Sequence, residues 1–299
     1  MVATVGGVLG GISYFTTWSQ QERGVKASED SGKADTADNR RAEKEEREKK
    51  DRAEGRPIRS TPGSPDYLAS RFAFPSRTTD LGDGAHSRYG DERYANWFAT
   101  NNGEEVGISV YRVTIAGLHE GTMVVQNMRL SDVRCIPTKY TGTAVVPNPI
   151  GDGGEGVEAV DVAFDLSAAI PKPREIMGRS EAGATSGNEV WNLGGSAFHE
   201  AIYLEGGEKF DARAFDLYFF TGTNDCTFGV EVNVTSENTD DWYPIKLSGK
   251  LGKPDGRGSV AGQTERYESV VAHTEDTLGN ELRGPGSPFT AVEVKKSGF

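Results

Sequence analysis

The chain has 299 residues, of which 35% are hydrophobic and 26% charged, and 38 of them are glycines. This composition is too apolar for a fully disordered chain and too rich in glycine for a helical bundle, so it indicates a β-type fold. Residues 19–56 carry 11 basic and 11 acidic side chains, which leaves the whole net charge of −12 on residues 57–299. Because such an acidic domain repels a phosphate backbone, we expect no nucleic-acid partner.

An uncharged segment lies at residues 2–18 and reads VATVGGVLGGISYFTTW. As a helix it would be about 26 Å long, slightly shorter than the apolar core of a bilayer. Tyr14, Phe15 and Trp18 stand where the aromatic belt of a membrane helix is expected. We therefore predict a transmembrane helix at residues 1–18 that contacts the lipid bilayer through residues 2–18. A signal peptide and a buried hairpin of the folded domain are the alternatives, but the basic region and cleavage site of a signal peptide are missing.

Residues 19–65 are predicted to form a charged stalk between this helix and the rest of the chain. Within it, residues 36–54 (TADNRRAEKEEREKKDRAE) have alanine as their only hydrophobic residue type, so no coiled-coil seam exists. Several acidic side chains precede a basic one by four positions, which is the favourable order on a helix: Glu43 and Arg47, Glu45 and Lys49, Glu46 and Lys50, Glu48 and Arg52. The stalk is thus expected to be partly helical, and the turn-rich segment 56–65 (RPIRSTPGSP) ends it.

Residues 66–299 are predicted to form one domain of short strands. Val106–Ile115 and Cys226–Val234 alternate between apolar and polar positions, as expected of strands with one buried face. Further segments have strand character: Thr122–Ile136, Thr141–Val146, Val157–Leu166, Ala197–Glu205, Ala212–Thr221, Trp242–Leu247 and Tyr267–His273. Because no long amphipathic helix accompanies them, we predict an all-β fold, an antiparallel β-sandwich of about nine strands. The glycine-rich stretches are expected to be surface loops, at residues 151–156, 178–195 and 249–262.

Several of these segments resemble a known group of proteins. They are Val124–Pro137 (VVQNMRLSDVRCIP), the run that starts at Phe215 (FDLYFFTGTNDCTFGVEVNV), Trp242 before a short strand, and Gly286–Phe289 (GSPF). In this arrangement the chain resembles uncharacterised single-pass membrane proteins of high-GC Gram-positive bacteria, from about Val106 onward. The resemblance implies an N-terminal helix, a charged spacer and a β-rich domain with a cysteine in each half, and it carries over no catalytic residue. Long insert-like loops and a nearly absent region before the helix are departures from this group.

Cys135 and Cys226 are the only cysteines. An even pair behind an apolar N-terminal segment suggests an oxidising compartment, so we predict a Cys135–Cys226 disulfide. The alternative is a pair of buried, reduced thiols. Arg23, Lys26 and Lys33 would by themselves place the domain in the cytoplasm, but long domains cross membranes largely regardless of such charges. We therefore expect a protein of the cell membrane whose β-rich domain is extracytoplasmic.

No residue is predicted to be catalytic, to bind a cofactor or to hold a metal. The histidines are too scattered for a zinc site: His86, His119, His199 and His273. The acidic loop residues are expected to be solvated turn carboxylates rather than calcium ligands: Asp80, Asp83, Asp152, Glu155, Glu237, Asp240 and Asp241. For some aromatic residues, buried packing is preferred to a role in a sugar or peptide groove: Trp97, Trp191 and Tyr203.

A membrane helix, a stalk and a globular domain together form an architecture that presents a surface away from the membrane. The hypothesis that follows is a membrane-tethered, non-enzymatic β-sandwich that binds a protein or an envelope component, or is structural. A cell-surface hydrolase whose carboxylates lie in the long loops is the first alternative, because catalytic partners meet in space rather than in sequence. The second alternative is a regulatory protein whose domain faces the cytoplasm.

Residues 2–18 are expected to hold the protein in membranes, because their uncharged length and terminal aromatic side chains suit a bilayer. The measurement is fractionation of cells that express either the full-length chain or a form that starts at Ser19. The full-length chain should enter the membrane pellet and the shortened form the supernatant. Recovery of both forms from the supernatant would show that the segment is no anchor.

Overall fold

A computed structural model describes residues 56–63, 71–78, 98, 101–118, 121–146, 158–180, 189–206, 211–236, 240–247, 256–273, 280–283, 285–286 and 292–296. Within these ranges, no helix is long and apolar enough to cross a membrane. The transmembrane helix predicted at residues 1–18 and the stalk up to residue 55 lie outside the described residues, so both stay predictions.

The described part of the chain is all-β, as predicted. Its strands are β1 Ile58–Gly63, β2 Phe72–Phe74, β3 Glu104–Glu105, β4 Ile108–Gly117, β5 Gly121–Pro137, β6 Thr143–Val146, β7 Ala159–Asp165, β8 Arg174–Ser180, β9 Glu189–Ser196, β10 Ile202–Gly206, β11 Ala212–Phe220, β12 Asn224–Thr235, β13 Asp240–Ile245, β14 Gly258–Val260, β15 Ser269–His273, β16 Asn280–Arg283 and β17 Val292–Lys296.

These strands form three sheets. The first sheet has the order β1-β4-β11-β7-β8-β9-β17, and the second has the order β10-β5-β12-β13 with β14 also paired to β12. The third sheet has the order β16-β15-β6-β2-β3. Most neighbours are antiparallel, but β7 pairs with β11, β6 with β15 and β9 with β17 in parallel. The predicted antiparallel arrangement is wrong for these pairs, because the alternation of side chains along a strand does not encode its direction.

The first and second sheets share the main hydrophobic core. The inward side chains of β12 are at most 1% exposed: Phe228, Val230, Val232 and Val234. From the first sheet, β11 contributes Phe215, Leu217 and Phe219 to the same core. The rings of Phe219 and Phe228 stack with their centroids 4.1 Å apart, which joins the two sheets directly. The period-two pattern of Cys226–Val234 therefore identifies the buried face of this strand correctly.

The other face of the first sheet is also buried, because the sheet packs against itself. Trp191 on β9 contacts Tyr218 and Phe220 on β11, with ring centroids 5.5 and 5.3 Å apart. Val292 on β17 belongs to the same cluster. Strand β17 thus covers aromatic side chains near the middle of its own sheet.

A salt bridge holds the end of β17 in this position. The Nζ atom of Lys296 lies 2.6 Å from Oδ2 of Asp165, whose side chain is 8% exposed. Burial acts to raise the pKa of Asp165, but hydrogen bonds from Lys296 and Ser167 outweigh it and keep that pKa below its usual value. The carboxylate therefore stays ionised and available to the lysine.

The third sheet carries its own small core and a charged link to the first. Phe72 stacks on Phe98 with ring centroids 4.0 Å apart. Arg71, next to β2, places a guanidinium nitrogen 2.5 Å from Oε2 of Glu189 on β9. Both side chains are at most 10% exposed, so removal of either would leave a buried, uncompensated charge.

Each of the predicted strand segments overlaps a strand of the structure, but the described residues form 17 strands where about nine were predicted. β1 lies in the turn-rich segment at residues 56–65, where it pairs with β4 at the edge of the first sheet. An edge strand tolerates Pro62, because it needs hydrogen bonds on one side only. The stretches 178–195 and 249–262, whose glycines suggested loops, contain the end of β8, nearly all of β9 and the whole of β14.

The glycine in β14 reflects close packing rather than a turn. At Gly258 in β14, a Cβ atom would overlap the ring of Phe228 in the main core. The ring of Phe228 on β12 therefore requires glycine at the paired position on β14. Phe228 and Gly258 are 30 positions apart, and no pattern in the sequence indicates that they pair.

Gly142 provides a test of this packing, because a Cβ atom at this position would overlap the backbone of Ser76. Gly142→Ala is expected to lower the free energy of unfolding by about 1–3 kcal/mol, since backbone cannot move aside as a flexible side chain does. The measurement is urea denaturation followed by tryptophan fluorescence. Gly178→Ala is the control, because its Cβ would have no neighbour within 4 Å. Equal stability of the two variants would contradict the packing described here.

Candidate functional site

The predicted disulfide is present and joins two neighbouring strands. Cys135 on β5 stands directly opposite Cys226 on β12, and their Cα atoms are 4.2 Å apart. Cys226 is 1% exposed and belongs to the main core, whereas Cys135 is exposed. Neither cysteine is left free, so the alternative of two reduced thiols is not what the structure contains.

Chain segments beside the disulfide meet at one end of the second sheet. One segment follows β5, a second precedes β12, and a third follows β14. The backbone N–H of Thr138 donates to the carbonyl of Thr223 at 3.1 Å, and that of Gln263 donates to the carbonyl of Gly222 at 2.7 Å. These bonds tie the second segment to both of the others.

Asp225 reinforces the same junction from within. Its Oδ1 atom accepts a hydrogen bond from the backbone N–H of Gly262 at 2.8 Å, and Oδ2 accepts one from Lys139 at 2.9 Å. The side chain is buried, so a carboxylate that receives two backbone hydrogen bonds here is a structural clamp.

A groove of about 840 Å³ lies between these segments. Most of the side chains that line it are uncharged and polar: Thr138, Thr141, Thr223, Asn224, Gln263 and Thr264. One carboxylate, that of the exposed Glu265, lies among them. Thr223 and Asn224 are exposed at its rim. The groove therefore offers several hydroxyl and amide groups to a ligand, in a volume typical of small-molecule sites.

A second recess of about 440 Å³ adjoins this groove, because Thr141 and Tyr267 line both. Its charged lining consists of Arg77, Arg266 and Glu268, so it contains more positive than negative groups. We refer to the two recesses together as the disulfide groove, and to the second one as its arginine end.

The buried Tyr267 forms part of the floor of the disulfide groove, and Tyr140 packs beside it. Tyr267 is fully buried and packs with Tyr140 in a small core cluster. Burial raises the pKa of both phenols above the usual value, and for Tyr140 the nearby Glu104 raises it further. These hydroxyl groups therefore stay protonated and neutral at ordinary pH.

Gln263 connects the disulfide groove to the C-terminal strand. Its Oε1 atom accepts a hydrogen bond from the backbone N–H of Val292 at 2.8 Å, and its Nε2 donates to the carbonyl of Val292 at 3.2 Å. Nε2 also lies 3.3 Å from the carbonyl of Thr221. The side-chain amide of Gln263 therefore fixes β17, and the rest of the side chain forms part of the groove lining.

Most of the acidic residues singled out in the sequence lie outside the described residues: Asp80, Asp83, Asp152, Glu155 and Glu237. Asp240 and Asp241 are exposed on β13 and accept local hydrogen bonds, Asp240 from Asn233 at 3.0 Å and Asp241 from Trp242 at 2.7 Å. Both side chains are thus exposed, but they stand at the start of a strand rather than in the turn that was expected for them. Among the described residues, no group of three or more His, Cys, Asp or Glu side chains could hold a metal ion.

The aromatic and histidine candidates have separate positions. Trp191 is buried as predicted, with 4% exposure, but Tyr203 is 58% exposed, so the expectation of buried packing is wrong for it. Tyr203 is on β10, at the edge of the second sheet, where its side chain faces solvent. His199 is exposed and lies 3.2 Å from the carbonyl of Ser196. His273 ends β15, while the other candidates lie outside the described residues: Trp97, His86 and His119.

The groove residues were not identified from the sequence. Only the two cysteines beside the groove were singled out there. Threonine, asparagine and glutamine have no diagnostic spacing, and the three segments are brought together only by the pairing of β5, β12 and β14. The one available signal was the position of Cys135 and Cys226, each two residues from a groove residue.

Comparison of the chain with protein-family models, with curated proteins and with solved structures finds no match.

Replacement of both cysteines by alanine is expected to lower the free energy of unfolding by about 4–5 kcal/mol, because the disulfide closes a long loop in the unfolded chain. Urea denaturation of the double variant and of the parent chain measures this loss. Reductant should destabilise the parent and leave the double variant unchanged. A parent chain with the same midpoint in the presence and absence of reductant would contradict a stabilising disulfide.

Proposed function

We propose that the protein is a membrane-tethered, non-enzymatic β-sandwich. Its β-rich domain, which we call the head, is extracytoplasmic and presents the disulfide groove as a binding surface. Residues 2–18 are the anchor in this proposal and the charged segment up to residue 55 is the spacer. The partner is a component of the cell envelope or a protein. A purely structural role is the simpler form of the same proposal.

The Cys135–Cys226 disulfide is the observation that supports an extracytoplasmic location of the domain. Disulfides persist in oxidising compartments and are rare in the cytosol, so this bond suggests an extracytoplasmic domain. It also argues against the cytoplasm-facing regulatory protein, which free thiols would have favoured.

The binding role is supported by the way in which polar side chains are used around the groove. Asp225 and Gln263 are engaged in holding backbone segments, whereas Thr223 and Asn224 are exposed at the rim. Buried polar groups that fix loops, combined with exposed ones that face a concavity, are typical of a preformed binding site.

The kinship with uncharacterised single-pass membrane proteins of high-GC Gram-positive bacteria is part of this proposal. It is consistent with a β-rich domain that contains one cysteine in each half, and it adds the membrane helix and the spacer. A cell-surface hydrolase would need two carboxylates converging in a cleft. Asp240 and Asp241 are engaged in local hydrogen bonds on β13. Glu265 and Glu268 line adjoining parts of the disulfide groove, so the hydrolase is kept as the second candidate function.

Protease added to intact cells that express the full-length chain is expected to degrade the head, because an extracytoplasmic domain is exposed to it. The measurement is immunoblotting with a C-terminal epitope tag, and a cytosolic protein in the same cells is the control for leakage. Survival of the head in intact cells, with degradation after lysis, would place it in the cytoplasm and overturn the proposal.

A further inference from the structure

We propose that the disulfide groove binds a saccharide that carries an anionic group, which the arginine end receives while the neutral hydroxyls occupy the larger recess. This inference rests on the proposed binding function and specifies its ligand.

The arginine end contains side chains whose charges are available to a ligand. Within the part of the chain that the structure describes, the guanidinium groups of Arg77 and Arg266 form no ion pair. Five other described arginines are matched to carboxylates: Arg71 to Glu189, Arg112 to Asp216, Arg129 to Glu231, Arg179 to Glu189 and Arg257 to Asp132. What sets Arg77 and Arg266 apart from exposed arginines such as Arg213 is that they line the same recess. A planar guanidinium binds a carboxylate or phosphate through two parallel hydrogen bonds, so this end suits an anionic group.

Glu268 lies in the same recess and makes it selective rather than merely basic. Its exposed carboxylate repels a ligand with charge spread along its length, but it accepts hydrogen bonds from hydroxyl groups beside a single anionic group. The arrangement therefore favours one anionic group on a ligand that is otherwise neutral and rich in hydroxyls.

The larger recess supplies groups that match such hydroxyls. Among the described residues, the side chains of Thr141, Thr223 and Asn224 make no hydrogen bond within the protein. A threonine hydroxyl both donates and accepts, and an asparagine amide does so through separate atoms. These groups can therefore pair with sugar hydroxyls, which also donate and accept.

A peptide is less well matched, because several backbone groups around the groove are already paired with one another. The N–H groups of Thr138, Gln263 and Glu268 donate to carbonyls of the neighbouring segments, at 3.1, 2.7 and 3.0 Å. A peptide that adds to a sheet needs an unpaired strand edge, which these segments do not offer. Recognition must therefore come from side chains, as it does for saccharides.

The groove is also held in shape before a ligand arrives. The disulfide lies two residues from Pro137 on one side and two from Asn224 on the other, and Asp225 bonds both adjoining segments. A preformed site avoids the entropic cost of ordering loops on binding. Disruption of the disulfide should therefore weaken binding even where the domain remains folded.

The test is titration of the full-length chain in detergent micelles, with the disulfide intact, by isothermal calorimetry. The probes are a glucuronate-containing tetrasaccharide, cellotetraose as a neutral saccharide of the same length, tetraglutamate as an acidic peptide, and inorganic phosphate. The acidic saccharide is expected to bind at least about tenfold more tightly than each of the others, because only it satisfies both recesses.

Variants assign the binding to this site. The double substitution Arg77→Gln and Arg266→Gln should reduce the affinity for the acidic saccharide to that for cellotetraose. Thr223→Val should weaken the binding of both saccharides by a similar factor. Arg213→Gln is the matched control, because Arg213 is exposed on β11 outside the groove, and it should bind as the parent does. All four positions are at least partly exposed, and thermal unfolding confirms that each variant is folded.

Several results would overturn the inference. If cellotetraose bound as tightly as the acidic saccharide, there would be no anionic subsite. If tetraglutamate bound as tightly, a peptide would be the better ligand. If phosphate bound as tightly, the groove would be a simple anion site. If no probe bound, or if the double arginine variant bound the acidic saccharide as the parent does, the groove would not be the saccharide-binding site. If the head is digested on intact cells but binds no saccharide, only the ligand assignment fails; if it is protected, the location fails.

Discussion

β5 and β12 pair along nearly their whole length, from Val124 opposite Thr235 to Cys135 opposite Cys226. Toward one end of this ladder, alternate residues of both strands fill the main core, and at the other end the disulfide links the strands covalently. The segments that continue from the linked end form the disulfide groove. A single pairing therefore sets both the position of the core and the spacing of the walls of the candidate site, so the site depends on this register more than on any one groove residue.

The first sheet contributes to the same arrangement through its second buried face. Strand β17 lies over Trp191, Tyr218 and Phe220, and the amide of Gln263 holds Val292 from the side of the groove. This contact makes the wall of the groove continuous with the packing of the C-terminal strand. A change in either should affect the other, because the Gln263 side chain pairs with both the N–H and the carbonyl of Val292.

Buried ion pairs are the other recurring feature, and they link strands or sheets rather than line the site. Arg71 and Glu189 join the third sheet to the first, while Arg112 and Asp216 pair across neighbouring strands at 2.8 Å. Such pairs add little to net stability but disfavour arrangements in which either charge is left alone. They therefore help to specify how three small sheets pack, where hydrophobic contacts alone would permit more than one solution.

The sequence by itself determined the all-β class, the buried face of β12 and the pairing of two cysteines, because alternation and composition act locally or involve a single possible partner. Only the tertiary structure decided the glycine-rich strands, the parallel pairs and the disulfide groove. Gly258 is required by the ring of Phe228, and Thr223 and Gln263 become groove residues only when distant segments meet. These properties depend on neighbours across the sheet, and no pattern along the chain records which neighbours those will be.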